Sequence, residues 1–459
     1  MALREGTGAP ADRRPGGGAP TVFPWRVVAI LAFAACMVLY AWTWLAEGKP
    51  TGGALLLIPV ALLVTAPALT RASRNETRFD LAGLMATGLL LRFLAVYYRW
   101  THAADAHVYS KAGTQLAQSF RSLHFDVDTG APVPGTGALR YITGLVSVPV
   151  GADEVLKFLV FTWLAFYGCV LLYRAFVTAL PEADCGRYAR LIFLWPALFY
   201  WPSSIGKESW MILTLGIAML GAARVLTRQP GGYSLLVGGL LAGSFVRPHV
   251  TLLALVAFAV ALLIGRRDNV ATGAFTPGSV AKVAGFVVVL LLGTVLAGRT
   301  ATLLDSSDRS GAGETISTAL ERVRVQTAEG GSSFNAPIPQ RPDGYVVAIV
   351  TVLFRPFPFE AGGLEQVLAA GEGVMLAGLL VTSWRRLRTI PRRLRREPYV
   401  TLALVFFLVF VFAFASVGNF GILARERSQV MPFVFVLLSL PAIARVAKPR
   451  RSAVRPSDR

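Results

Sequence analysis

The stretch Tyr399–Val417, YVTLALVFFLVFVFAFASV, runs for nineteen residues without a charge, directly after a segment (384–397) that holds seven arginines. A helix of that length rises about 28 Å at 1.5 Å per residue, which matches the hydrocarbon core of a bilayer. An uncharged block ending on a dense arginine cluster is the pattern of a transmembrane helix leaving a cytoplasmic loop. Similar apolar blocks recur at 25–46, 53–70, 80–98, 154–173, 188–205, 208–226, 232–246, 250–265, 281–298, 364–383 and 428–446. With 399–417 they make twelve expected spans. Tyr345–Phe354 is a thirteenth apolar stretch, too short to cross comfortably.

Composition agrees. Of 459 residues, 54% are hydrophobic and 15% charged, with a mean hydropathy of +0.57. A soluble chain of this length needs more charge to cover its surface. The net charge of +19 does not indicate a nucleic-acid binder, because the basic residues lie between the apolar blocks. Only six of the 45 basic residues are lysine, and Ala, Gly and Pro are abundant, a composition associated with GC-rich bacteria. Cys36, Cys169 and Cys185 have no metal-ligand spacing and suggest no disulfide framework. Residues 1–24 are expected to be a disordered cytoplasmic tail and 447–459 a basic cytoplasmic tail. They flank a single transmembrane domain, 25–446.

The basic segments set the orientation. Arg4, Arg13 and Arg14, then Arg71, Arg74 and Arg78, then the cluster from Arg385 to Arg396, then Lys448, Arg450 and Arg451 fall on one side if twelve blocks cross and 345–360 enters and returns. The positive-inside rule makes that side the cytoplasm and places both termini there. Residues 345–360 therefore read as re-entrant or interfacial. Two long loops, 99–153 and 299–343, face outward, and Tyr141–Val150 suits a helix lying on the membrane surface. No internal repeat of the transporter kind is visible.

Four short motifs place ionisable groups at the outward ends of spans, where few cations are expected. They are Trp201-Pro-Ser-Ser-Ile-Gly-Lys207-Glu208-Ser209, Phe245-Val-Arg247-Pro-His249, Arg355-Pro-Phe-Pro-Phe-Glu360 and Arg425-Glu426-Arg427. Charges near hydrocarbon depth pair internally, snorkel to headgroups or bind something charged. Prolines beside Arg247 and Arg355 stop helices and free backbone groups next to the guanidinium. Arginine matches phosphate through its planar fork, and lysine acts as a compact point charge. Lys207, Arg247, Arg355, Arg425 and Arg427 thus form the expected phosphate-binding set, a cationic cup with His249 and Glu360 in support. The first outer loop adds His102-Ala-Ala-Asp105-Ala-His107-Val-Tyr109, where Asp105 sits close enough to the membrane to act as a base. Tyr109 and Glu208 are secondary members. His102, Asp105 and His107 would also suit a divalent cation, although no metal ligand is assigned.

At these residues the chain resembles the GT-C superfamily of polyprenyl-phosphate-dependent glycosyltransferases, in particular the protein O-mannosyltransferase-like bacterial membrane proteins. The match rests on the many-span architecture, a long first outer loop with an acid at its start, the Asp105-x-x-x-Tyr109 pattern, and the Lys207–Glu208 and Arg355–Glu360 motifs. It covers residues 80–445 loosely, and the loop carries a single acid where paired acids are common. The resemblance implies an all-α, polytopic, GT-C-like fold with Asp105 as the catalytic carboxylate. It also implies a polyprenyl-phosphate-linked sugar as donor, and an envelope glycan, lipid or protein hydroxyl as acceptor. The expected location is the bacterial plasma membrane, with the active site extracytoplasmic. Two alternatives stand beside it: an O-antigen-type polysaccharide polymerase or ligase, and a lipid or polysaccharide transporter or flippase. The last would need ionisable groups near the bilayer midplane, and spans such as 250–265 and 399–417 have none.

Overall fold

The computed structural model describes residues 23–76, 78–265 and 342–442, together with 293–294, 332–336 and the single residues 321, 324, 325 and 327. Apart from one isolated bridge between Ser333 and Asn419, the regular structure among the described residues is helical. The helices are α1 (Trp25–Leu45), α2 (Ala54–Asn75), α3 (Leu81–His102), α4 (Ala104–Arg121), α5 (Thr136–Val150) and α6 (Glu154–Ala179). They continue with α7 (Cys185–Leu194), α8 (Pro196–Tyr200), α9 (Lys207–Leu226), α10 (Gly232–Ser244), α11 (Pro248–Ile264) and α12 (Pro342–Phe354). The last five are α13 (Leu364–Thr382), α14 (Trp384–Leu387), α15 (Ile390–Arg393), α16 (Pro398–Phe414) and α17 (Phe420–Leu438).

This is a multi-pass membrane protein. Among the described residues, six helices (α1, α2, α3, α6, α9 and α13) are long and apolar enough to cross a bilayer, or seven if the bent pair of Trp384–Arg393 and α16 counts as one. The other expected spans take several forms. α10 and α12 have 13 residues each, about 20 Å of helix, and α11 has 17. The span expected at 188–205 is broken into α7 and α8. The one expected at 428–446 begins earlier, with α17 at Phe420, and carries Arg425, Glu426 and Arg427. The span expected at 281–298, most of the loop 299–343 and both expected tails lie largely or wholly outside the described residues.

Small residues let the central helices touch backbone to backbone, as packing in lipid favours. A Cβ at Gly168 of α6 would meet the Ile212 carbonyl of α9 at 2.3 Å, and one at Gly221 of α9 would meet the Leu236 amide of α10 at 2.2 Å. Around that seam the bundle has two distinct ends. One gathers the C-terminal end of α3 and the N-terminal ends of α9, α11, α13 and α17. The other gathers the start of α7, the end of α13 and the end of α17, where Arg386 bonds to Asp184 at 2.9 Å and to the Leu440 carbonyl at 2.8 Å. The arginines of 384–397 and Arg71, Arg74 and Arg78 belong to this second end.

The break at Pro196 accounts for two charges buried inside the bundle. Proline has no N–H to donate to the Ile192 carbonyl, and the Ala197 amide donates instead to Glu372 of α13 at 3.1 Å. That leaves the Ile192 and Phe193 carbonyls without helical partners, which hydrocarbon does not tolerate. Arg92 of α3, 1% exposed, supplies them, with Nη1 2.8 Å from Phe193 O and Nη2 3.4 Å from Ile192 O. These charges within the bundle serve the backbone.

The segment 99–153, expected to face outward, is largely helical. α4 and α5 form a hairpin on the first end, and Tyr141–Val150 is the C-terminal part of α5. Lys157 of α6, fully buried, pins α4 by donating to Thr114 Oγ1 at 2.6 Å and Ser110 Oγ at 3.1 Å. The described flanks of α12 lie together. Phe334 stacks on Phe420 at 4.4 Å, and Arg355, just past α12, sits 4.5 Å from the Phe334 ring.

Candidate functional site

A cavity of about 460 Å³ opens at the first end, lined among others by His102, Asp105, Tyr109, Trp201, Lys207, Glu208, Arg247, Arg425 and Glu426. Three of the four motifs therefore meet, joined by the loop carboxylate. The reason lies in where the helices start. Asp105 stands in the first turn of α4 and Glu208 in that of α9, where a helix dipole favours an anion. A Cβ at Gly206 would meet Glu208 Oε2 at 2.8 Å, so glycine leaves room for that carboxylate at the start of α9, and Ser209 Oγ accepts from the Gly206 amide at 3.3 Å and donates to Ser204 O at 2.9 Å.

The cavity is less cationic than the motifs suggest. Its lining carries four cations (Arg99, Lys207, Arg247, Arg425) and four carboxylates (Asp105, Glu208, Glu365, Glu426). Arg247, with a side chain 9% exposed, is clamped between Glu208 at 2.9 Å and Glu426 at 2.6 Å, and Gln429 donates to Glu426 at 2.6 Å. Arg427 is fully buried and turns away, bonding the Val352 carbonyl at 3.0 Å and the Arg355 carbonyl. Arg355 lies outside the cavity, bonded to Glu360 and boxed by Phe334, Phe357 and Phe420. Three of the five expected phosphate-binding cations are thus committed to internal partners, each because burial demands a compensating group.

Lys207 and Arg425 remain. Lys207 is the first residue of α9, lines the cavity and has no hydrogen-bond or ion-pair partner among the described residues. Arg425 reaches Asp105 at 3.4 Å, with the two side chains 34% and 71% exposed. That contact is long and wet, so a stronger anion would readily displace it. Burial raises the Tyr109 hydroxyl above its ordinary value, so it stays a neutral hydrogen-bonding group at physiological pH. His249 does not line the cavity and packs 5.9 Å from Phe414. Glu360 also lies outside it, its carboxylate held below the usual range by hydrogen bonds from Arg355.

The divalent-cation set does not assemble. His102 Nδ1 faces Thr101 and the Tyr98 carbonyl, His107 Nδ1 turns to Glu154 at 3.0 Å, and among the described residues no three His, Cys, Asp or Glu side chains gather to hold a metal. Two members were not anticipated: Arg99, 2.9 Å from Glu365 and 5.1 Å from the Trp201 ring, and Glu365 itself. Arg99 falls where the apolar block fades into the loop. The signal for Glu365 was available, an acid in the first turn of an apolar span, as at Glu208.

No known protein family, curated protein or solved structure matches this chain.

Proposed function

We propose that the chain is a bacterial plasma-membrane glycosyltransferase of GT-C type. In this reading about twelve segments cross, both termini are cytoplasmic, and the cavity opens on the extracytoplasmic face. The observation that carries it is one cavity holding two loosely engaged cations, Lys207 and Arg425, beside one exposed carboxylate, Asp105. The cavity's position supports the orientation, because the arginine-rich segments collect at the opposite end of the bundle.

The chemistry uses these groups in separate roles. The donor is a sugar linked through its anomeric carbon to a polyprenyl phosphate. Lys207 and Arg425 hold the phosphate and stabilise the charge it gains on leaving. A lysine at the first position of α9 is disfavoured by the helix dipole, so a bound phosphate relieves an unfavourable contact. The acceptor hydroxyl oxygen attacks the anomeric carbon, the bond from that carbon to the phosphate oxygen breaks, and polyprenyl phosphate departs with the electron pair. Asp105 takes the hydroxyl proton. The Glu208–Arg247–Glu426 cluster ties α9, the start of α11 and α17 together and so fixes the spacing of Lys207 and Arg425.

The test is purified full-length protein in detergent, offered a panel of polyprenyl-phosphate monosaccharides, with release of polyprenyl phosphate followed for wild type and Asp105→Asn. Release from one donor, lost in a folded Asp105→Asn protein, is the expected result. Turnover of a diphosphate-linked oligosaccharide instead, unchanged by Asp105→Asn, would make the protein a polymerase or ligase.

A further inference from the structure

A second cavity, about 390 Å³, adjoins the first and shares His102, Trp201, Glu365 and Gly421 with it. Its volume is in the range of small-ligand pockets, roughly 300–1,000 Å³. Among the described residues Leu364 is the only long aliphatic one in its lining, which is apolar mainly through three aromatic rings (Tyr98, Trp201 and Phe420) and small residues and also carries the polar side chains Ser332, Glu365 and Gln366.

The rings are held in place. His102 lies flat on Tyr98 at 4.0 Å, Phe420 lies flat on Phe334 at 4.4 Å, and Trp201 is covered by Arg99. Rigid aromatic surface offers contact area at little cost in side-chain freedom. The polar groups are half-used. Glu365 Oε1 accepts from Arg99 at 2.9 Å and Tyr200 at 2.6 Å, which leaves Oε2 without a hydrogen bond among the described residues. Gln366 Oε1 accepts from the Gly362 amide at 2.8 Å, which leaves its two amide N–H groups without a partner among the described residues. A free carboxylate oxygen and a free amide donor therefore stand on adjacent residues of the first turn of α13. Neighbouring hydroxyls on a sugar ring need that combination, one to donate and one to accept, while the C–H face of the ring rests on an aromatic surface. A site built to bond hydroxyls also rejects ligands that lack them.

We infer that this second chamber binds a sugar ring, and that the acceptor is accordingly a saccharide and not a lipid or peptide hydroxyl. The acceptor assignment rests on the transferase reading, whereas the sugar-binding assignment does not. His102 and Trp201 line both chambers, so a ring bound in the second lies next to the cavity that holds Asp105.

The experiment is saturation-transfer NMR on the full-length protein in deuterated detergent. The probes are methyl α-mannopyranoside, methyl α-glucopyranoside, methyl α-arabinofuranoside, a serine-rich peptide and citronellyl phosphate, each added alone. At least one glycoside is expected to receive saturation on its ring C–H groups. Gln366→Ala should weaken the signal at least threefold, and Ala369→Phe, which fills the chamber from α13, should abolish it. Absence of transfer to every glycoside, or transfer unchanged in both variants, would overturn the inference. So would loss of citronellyl phosphate or peptide binding in Ala369→Phe with glycoside binding intact. Donor cleavage measured on the same samples separates the two ideas. Cleavage without glycoside binding removes this inference alone, and glycoside binding without cleavage removes the acceptor role.

Discussion

At the scale of single residues, the cavity separates cations that hold the protein together from cations free to hold a substrate. Arg247 meets two buried carboxylates, and removing one partner of such a cluster costs about 3–5 kcal/mol because the remaining charges stay buried and unpaired. Arg247→Met should therefore lower the unfolding temperature in detergent sharply or prevent accumulation of folded protein. Lys207 has no hydrogen-bond or ion-pair partner to strand among the described residues, so Lys207→Met should leave thermal stability within about 0.5 kcal/mol of wild type. It should weaken donor binding by the worth of a charged hydrogen bond, about 1.5–3 kcal/mol, or roughly ten- to a hundredfold. Differential scanning fluorimetry alongside the KM for donor checks both, and equal loss of stability in the two variants would remove the distinction. The sequence showed where these charges lie, because ionisable groups stand out against apolar spans. It did not show which were taken. Arg247 finds its carboxylates 39 and 179 positions away, and nothing local to Phe245–His249 reveals either.

At the scale of elements, short polar contacts hold the pieces that carry the site. α4 was hidden in the sequence because the face it buries, Ala106, Ser110, Gly113, Ala117 and Phe120, keeps helical spacing but is built mostly of small residues in a largely polar segment, so 99–153 read as a loop with one surface helix. What docks α4 is the Lys157 contact with Ser110 and Thr114, made from a position that reads as an ordinary residue at the start of a span. Lys157→Met deletes it and should cost about 1–3 kcal/mol. Amide exchange should rise across 104–121 more than across α9, and kcat should fall through looser placement of Asp105. Uniform exchange in both helices would contradict a local bolt. The segment after α12 is closed by Arg355 and Glu360. Because the Glu360 carboxylate is held below its ordinary value, its contribution is complete above the ordinary glutamate range, about pH 4.3, and is lost as pH falls through the depressed value. The stability gap between wild type and Glu360→Gln, followed by thermal unfolding, should stay constant from pH 8 to pH 5 and close only at lower pH. A gap that closed on raising the pH would contradict the clasp.

At the scale of the whole molecule, the donor available to the cavity depends on which end of the bundle faces out. In the proposed reading a polyprenyl-phosphate donor is used on the face where the cavity opens, and the arginines of 384–397 mark the other end, so the charge rule and the site must agree. Two exposed positions report on it: His124, in the turn between α4 and α5 at the cavity end, and Arg395, in the segment before α16 at the other. The three native cysteines are buried, so background labelling is low and single-cysteine reporters can be read directly. A membrane-impermeant maleimide applied to intact cells should label His124→Cys, and should label Arg395→Cys only after the membrane is permeabilised. The reverse pattern would put the cavity in the cytoplasm, in reach of soluble nucleotide sugars, and would remove the reason for a lipid-linked donor while leaving the cavity's internal geometry unchanged. Labelling of both positions in intact cells would mean that 384–397 does not lie across the membrane from the cavity. The relation between basic segments and site would then fail together with the orientation drawn from it.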